Sequence, residues 1–457
     1  MKTTTWKLLL PLLALLLPFA PARLLAQEAV LPENALGSYL ETPDGSYAWE
    51  VREVTDAGPA KAYDLMLVSQ TWKGHVWKHQ PTVIVPKVLE RGTALLFIDG
   101  GIVDGQGEPR WRPAGKNSLA LAMGKIAVEN RAVTAVVKQV PMQPLYGGKT
   151  EDELISMTLH RFRQDGDPTW PLLFPMVKSA VRAMDAVQEF SRRELETEVS
   201  DFVLAGASKR GWTTWLAAAS GDRRVRAIAP IVIDVLNMPA NLRYQIEAYD
   251  EYSAEISDYT ELGLVQAMET DSVADLVRMI DPYAYRAKLA MPKLIINGTN
   301  DPYWVVDGVK HYLDSIPGTN LLHYAANGGH NLGPGRQDAF RALGAFFGYT
   351  AQGKPYPETG WTATVRDGEI RLDIRATAEK LIGARRWTAI SASRDFRNAE
   401  WKSEGMSVSN VSAFSAALRL PSEGYAAFYV DLVYRDLNGK PYSQSTRPFV
   451  VDGKGLL

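Results

Sequence analysis

The pattern of apolar and polar positions changes character along this chain. Between residues 27 and 90, apolar and polar positions alternate in aromatic-rich segments such as Tyr47-Ala-Trp-Glu-Val and Tyr63-Asp-Leu-Met-Leu-Val-Ser-Gln-Thr-Trp, followed by Val83-Ile-Val-Pro. Period-two alternation predicts antiparallel strands opening a sheet. From Ala94 the apolar runs become continuous. They are Ala94-Leu-Leu-Phe-Ile, Ala132-Val-Thr-Ala-Val-Val, Phe202-Val-Leu-Ala-Gly, Ala227-Ile-Ala-Pro-Ile-Val-Ile, Lys293-Leu-Ile-Ile-Asn and Asn320-Leu-Leu-His-Tyr. Short unbroken runs of this kind suit strands buried on both faces of a parallel sheet.

Helical periodicity separates these runs. Its clearest case places Val177, Ala180, Val181, Met184, Val187 and Phe190 on one face of a helix predicted to start after Pro175. A second helical stretch, Trp212 to Ala219, follows the Phe202 strand. Strand and helix in alternation specify an α/β fold with a mostly parallel sheet. Residues 234–290 interrupt the rhythm with a Tyr-, Glu- and Met-rich helical segment. It reads either as a lid or pocket wall above the strand ends, where open α/β sheets bind ligands, or as a plain insertion. After Gly348 the style shifts again. Residues 358–457 are short alternating stretches such as Trp361-Thr-Ala-Thr-Val, Glu369-Ile-Arg-Leu-Asp-Ile and Ala426-Ala-Phe-Tyr-Val-Asp-Leu-Val-Tyr. Their spacing predicts a β-sandwich, immunoglobulin-like in architecture. A chain of 457 residues has room for both an α/β domain over 27–350 and this second unit.

The first residues carry a different message. Lys2 and Lys7 precede an apolar run from Leu8 to Phe19 that is too short to span a bilayer, the form of a secretory signal peptide over residues 1–26. Cleavage is expected after Ala26, although Leu24 is bulkier than the small residue usual three positions before a cut. The protein is therefore expected to be exported, to the periplasm or the outside of the cell, with no later membrane span. The chain has no cysteine, so export brings no disulfide and no thiolate metal site. A formal charge of -2 with no basic stripe argues against a nucleic-acid partner.

The sharpest chemical signal is Gly206-Ala207-Ser208-Lys209-Arg210-Gly211, set between an apolar strand and a helix. A serine on a tight strand-to-helix turn is pushed into the open, and the helix N-terminus favours developing negative charge. The usual G-x-S-x-G pattern has glycine where Arg210 stands here. An acid and then a histidine should follow, each after its own strand. Asp301 does so in Lys293-Leu-Ile-Ile-Asn-Gly-Thr-Asn-Asp, and His330 in Leu321-Leu-His-Tyr-Ala-Ala-Asn-Gly-Gly-His. Serine becomes nucleophilic when imidazole takes its proton, and a carboxylate fixes the imidazole tautomer. Asp301 also fits a simple Asp-Pro turn, and Asp307 is a second candidate acid. The backbone N–H of Lys209 and a donor from the Gly100-Gly101 turn are the expected oxyanion hole. Lys209 and Arg210 serve either an anionic substrate group, Arg210 being the candidate substrate contact, or ordinary surface and packing roles. His75, His79, His160, His311 and His323 lack a clustered carboxylate and read as structural, so no metal site and no cofactor are expected.

At this point the chain resembles the PhoPQ-activated pathogenicity-related protein family. The strings that carry the resemblance include Glu41-Thr-Pro-Asp-Gly-Ser-Tyr-Ala-Trp, Ser69-Gln-Thr-Trp-Lys-Gly, Gln139-Val-Pro-Met-Gln-Pro-Leu, Pro175-Met-Val-Lys-Ser-Ala-Val-Arg-Ala-Met-Asp, Gly206-Ala-Ser-Lys-Arg-Gly-Trp-Thr-Thr-Trp and Ile233-Asp-Val-Leu-Asn. Met142 stands where the family pattern leads one to expect asparagine, a departure expected to touch the pocket rim at most. The resemblance implies an α/β-hydrolase fold, makes Ser208-Lys209-Arg210-Gly211-Trp212 the family's own elbow, and implies export. The combined expectation is an exported serine hydrolase acting on a small-molecule or peptide substrate. The alternative is a secreted binding or signalling protein that keeps the fold and engages a protein partner through its C-terminal β-domain.

Overall fold

The structure is a computed structural model that describes residues 1, 2, 4, 30–268, 270 and 273–457. The expected signal peptide and its cleavage site after Ala26 lie outside the described residues, apart from residues 1, 2 and 4. Ten strands build the first part of the main sheet: β1 (Ala48–Asp56), β2 (Ala60–Trp72), β3 (His75–His79), β4 (Pro81–Pro86), β5 (Arg91–Ile98), β6 (Ala132–Val137), β7 (Asp201–Ala207), β8 (Val225–Ile231), β9 (Lys293–Gly298) and β10 (Asn320–Ala325). Their order is β1-β2-β4-β6-β5-β7-β8-β9-β10, with β3 folded back on β2. Pairing is antiparallel from β1 through β6 and parallel from β6 through β10.

The change of style read at Ala94 is thus a change of pairing. The central strands are buried along almost their whole length, and their side chains alternate between two cores. Leu96, Ile98, Leu204, Ile228 and Ile295 join the core beneath the helices Leu173–Glu194 and Lys209–Ala219. Leu95, Phe97, Val203, Ala227 and Ile296 face the opposite core, with the helices Ser118–Asn130 and Arg336–Ala351. The helix expected to begin after Pro175 begins at Leu173 instead. Proline is tolerated in a first turn, where its missing N–H has no partner to lose, so it did not mark the boundary. A helix over Pro32–Glu41 precedes the sheet and buries Ala35 and Leu36, an element absent from the sequence reading.

From β5 the chain crosses to β6 on one side, and from β6 it returns to β7 on the other. The loops leaving β5 and β7 therefore diverge at the carboxyl edge and leave a crevice, the place where open α/β sheets take ligands.

Residues 358–457 fold as two packed sheets. One contains β11 (Thr359–Arg366), β12 (Glu369–Ala376) and β15 (Ala413–Arg419); the other contains β13 (Leu381–Ser391), β14 (Lys402–Met406), β16 (Tyr425–Arg435) and β17 (Pro441–Ser445). The orders β11-β12-β15 and β14-β13-β16-β17 are those of an immunoglobulin-like sandwich. Two short strands, β18 (Phe449–Asp452) and β19 (Gly455–Leu456), complete the edge of β16. The second sheet is continuous with the first domain, because β17 pairs with β10 at Leu322 and Ser445. Ser445 is the joint: its hydroxyl accepts from the Tyr324 N–H at 2.9 Å and donates to the buried Asp431 at 2.6 Å. Strand β16 is consequently buried on both faces, Phe428, Val430 and Leu432 toward the sandwich and Ala427 and Tyr429 toward the α/β domain.

Candidate active site

Ser208 ends the strand-to-helix turn with φ 57° and ψ -126°, a conformation that a non-glycine residue adopts only when its surroundings impose it. They do. Ser208 N–H is bonded to Ile231 O of the neighbouring strand, and Ser208 O receives Trp212 N–H. The flanking glycines are required by close approach: a Cβ on Gly206 would lie 2.6 Å from Arg210 O, and one on Gly211 would lie 2.5 Å from Ile233 Cγ2. Here Gly211 does the packing, so the position two after the serine is released from being glycine.

The Ser208 hydroxyl lies 2.8 Å from His330 Nε2. On the other side of the ring, Nδ1 lies 2.9 Å from Asp301 Oδ2 and 3.1 Å from Oδ1. A carboxylate only accepts, so Nδ1 carries the proton and Nε2 is left to accept from Ser208. Asp301 is buried, and its Oδ1 also accepts the Tyr303 N–H at 2.9 Å, which fixes the carboxylate. The loops holding the acid and the histidine are tied together. Asn300 N–H donates to Gly328 O and Asn327 N–H to the Thr299 hydroxyl, both at 2.9 Å. Gly298 lies against the carbonyls of Gly328 and Gly329, leaving no room for a Cβ. Tyr303 packs on His330 with ring centroids 4.2 Å apart and an interplanar angle of 31°.

The other residues singled out from sequence take varied places. Lys209 opens the helix after Ser208, so its N–H is among those with no intrahelical partner. Its side chain pairs with Asp152 at 2.6 Å, both largely buried. The Gly100-Gly101 turn abuts the same helix, and a Cβ on Gly100 would strike the Arg210 guanidinium at 2.6 Å. Arg210 does not face the pocket as a substrate contact would. Its fork closes on Glu151 at 2.6 and 2.7 Å and its Nε donates to Val140 O, which leaves it 9% exposed and bonded to the protein itself. Burial opposes ionisation of Glu151, but the bonds and charge of Arg210 prevail and hold it below the usual carboxylate range. Asp307 is buried in a different network, with the Tyr244 hydroxyl at 2.7 Å and Lys310 Nζ at 2.9 Å. Met142, expected at the rim at most, is buried in the core beside Gly107. His79 is buried between the Ser69 hydroxyl and Lys138 O, and His323 beneath Ser443; burial pushes both down to about 4. Among the described residues no group of three His, Asp or Glu side chains is placed to hold a metal ion.

A pocket opens at Ser208, Lys209 and His330. Its walls include Trp212 and Leu159 together with Val235, Met238, Val265 and Met268 from the 234–290 segment. The pairing partners Glu151 and Asp152, and Tyr303 on the histidine, were not singled out from sequence, whereas the 234–290 segment walls the pocket, the first of the two readings given for it. For Tyr303 a signal existed: it stands two residues after Asp301, in the loop that carries the acid.

Strand order, the switch-point crevice and a strained serine on a strand-to-helix turn define an α/β-hydrolase with an appended immunoglobulin-like domain. A model of the PhoPQ-activated pathogenicity-related protein family matches residues 36–397, and the chain belongs to that family. Autocrine proliferation repressor protein A of Dictyostelium discoideum is a relative, 29% identical over an alignment of 443 residues that covers 90% of this chain and 88% of that one. Among solved structures, an acetyl xylan esterase from Paenibacillus sp. R4 covers 68% of this chain and 92% of its own at 13% identity and a TM-score of 0.46. An S-formylglutathione hydrolase from Agrobacterium tumefaciens covers 66% and 99% at 14% identity and a TM-score of 0.41. The strand order defines the fold independently of these likenesses.

Proposed function

We propose that this chain is an exported serine hydrolase that cleaves an acyl bond through Ser208, His330 and Asp301. The single observation that carries the reading is the unbroken line from the Ser208 hydroxyl through both ring nitrogens of His330 to Asp301. Ser208 Oγ adds to the carbonyl carbon as its proton passes to His330 Nε2, and Asp301 stabilises the imidazolium that forms. The Lys209 N–H, and a donor from the Gly100-Gly101 turn, take the charge on the oxyanion. The leaving group departs with the proton from His330, and water, deprotonated by the same imidazole, releases the acyl group from Ser208. Export is supported by the sequence of residues 1–26.

The test is labelling of the purified mature protein with a fluorophosphonate, comparing the parent with Ser208→Ala and His330→Ala. Labelling of the parent alone is the expected result. A folded parent that stays unlabelled would remove the proposal.

A further inference from the structure

The pocket beside Ser208 has a property that narrows its ligand: the polar side chains among its described wall residues are bonded to the protein itself. Asp152 is held by Lys209 at 2.6 Å, by the Tyr259 hydroxyl at 2.8 Å and by the Tyr303 hydroxyl at 3.4 Å. Trp212 Nε1 donates to Ile280 O at 2.7 Å, and Trp304 Nε1 to Val232 O at 3.3 Å. The Asn241 amide nitrogen donates to Leu236 O at 2.7 Å and Asp234 O at 3.2 Å. What these groups leave toward the cavity is hydrocarbon: Trp212, Ile233, Val235, Met238, Val265 and Met268. A ligand group bringing a hydrogen-bond donor or a charge into this space would leave water without replacement partners, at a cost that apolar walls do not return. Among the described lining residues, Ser208 and His330, at the mouth, are the ones placed to do chemistry.

We infer that this pocket receives an unsubstituted hydrocarbon group, a straight alkyl chain or an unadorned ring, of a neutral ester whose carbonyl lies at Ser208. The inference rests on the serine-hydrolase reading and adds the substrate class to it. A peptide fits poorly, because residues flanking a scissile amide carry backbone N–H and C=O groups into the same space. The walls from the 234–290 segment set the depth: Val235, Met238, Val265 and Met268 all come from it, and methionine side chains adapt to chains of differing length. Hydrocarbon buried there gains about 0.8 kcal/mol per methylene, which is about fourfold in kcat/KM for each one added until the pocket is full.

The experiment uses the whole mature chain and two series of esters. p-Nitrophenyl acetate, butyrate, hexanoate and octanoate lengthen the acyl side; methyl, butyl and octyl acetate lengthen the alcohol side. A rise in kcat/KM of about fourfold per methylene in one series is the expected result and says which side of the ester the pocket holds. Val265→Trp, which fills the cavity, is expected to flatten that slope; where it does not fold, the slope of the unaltered chain decides by itself. Fluorophosphonate labelling with a flat response in both series would overturn the inference and leave the serine-hydrolase reading standing. So would a blocked peptide p-nitroanilide cleaved faster than the best ester. No labelling at all would instead remove the reading on which the inference rests.

Discussion

Asn327 and Trp401 exchange a reciprocal pair of hydrogen bonds across the domain boundary: the asparagine amide donates to Trp401 O at 2.9 Å, and the Trp401 N–H returns to Asn327 Oδ1 at 2.8 Å. Asn300, next to Asp301, reaches the same segment, its amide donating toward the carbonyls of Phe396, Arg397 and Ala399 at 3.3, 3.1 and 2.8 Å. The immunoglobulin-like domain therefore grips the loop of the acid and the loop of the histidine together. Asn300→Ala is expected to cost about 1–3 kcal/mol by stranding carbonyls, and to slow fluorophosphonate labelling in protein that remains folded. Unchanged labelling kinetics in both Asn300→Ala and Asn327→Ala would show that the grip does not position the site.

The two candidate acids separate cleanly by geometry. Asp301→Asn is expected to lower kcat by about 10⁴-fold, because an amide stabilises the wrong imidazole tautomer. Asp307→Asn is expected to weaken the fold, since it bonds Tyr244 and Lys310 instead of His330. Denaturation midpoints and turnover measured on both variants decide the assignment, and the opposite pairing of effects would reverse it.

Tyr303 steadies the imidazole through its face. Stacked aromatic pairs contribute roughly 0.5–1.5 kcal/mol, so Tyr303→Ala should slow labelling of Ser208 by up to about tenfold. Tyr303→Phe keeps the ring and should restore most of the rate. If the phenylalanine variant were as slow as the alanine one, the hydroxyl bond to Asp152 would be the part that matters.

His79 makes acid stability specific. Burial pushes it down to about 4 from the ordinary 6.5, so as pH falls the unfolded chain takes up the proton first. The stability that neutral His79 provides is whole above pH 6.5 and is lost between 6.5 and 4, on the order of 3 kcal/mol. His79→Gln cannot titrate. The gap in urea midpoint between parent and variant should accordingly shrink from pH 7 to pH 4.5, and a gap independent of pH would rule the linkage out.

The fold was largely legible because its information is local. Unbroken apolar runs announced the parallel strands, and alternation announced the antiparallel ones at both ends. Ser208, Asp301 and His330 were legible through chain order, since each follows a strand that the pattern identifies by itself. Arg210 was not, because its direction is set by Glu151, 59 residues away in sequence. Nor could the pattern reveal that β17 would dock on β10, or that Asn300 and Asn327 would find carbonyls near residue 400. Those are pairings between distant segments, and nothing in either partner's own sequence encodes the other.

The docking of β17 on β10 also covers a sheet edge. Without the C-terminal domain, the sheet would end at Asn320-Leu-Leu-His-Tyr-Ala, an apolar strand with an open row of amides and carbonyls, which is a template for association with other chains. With it, the outermost strands become β1 and β14, both largely exposed. They carry Glu50, Arg52 and Glu53 at one limit and Lys402 and Glu404 at the other. The appended domain thus exchanges an adhesive margin for a charged one, and a chain cut near residue 355 would be expected to precipitate before its chemistry could be assayed.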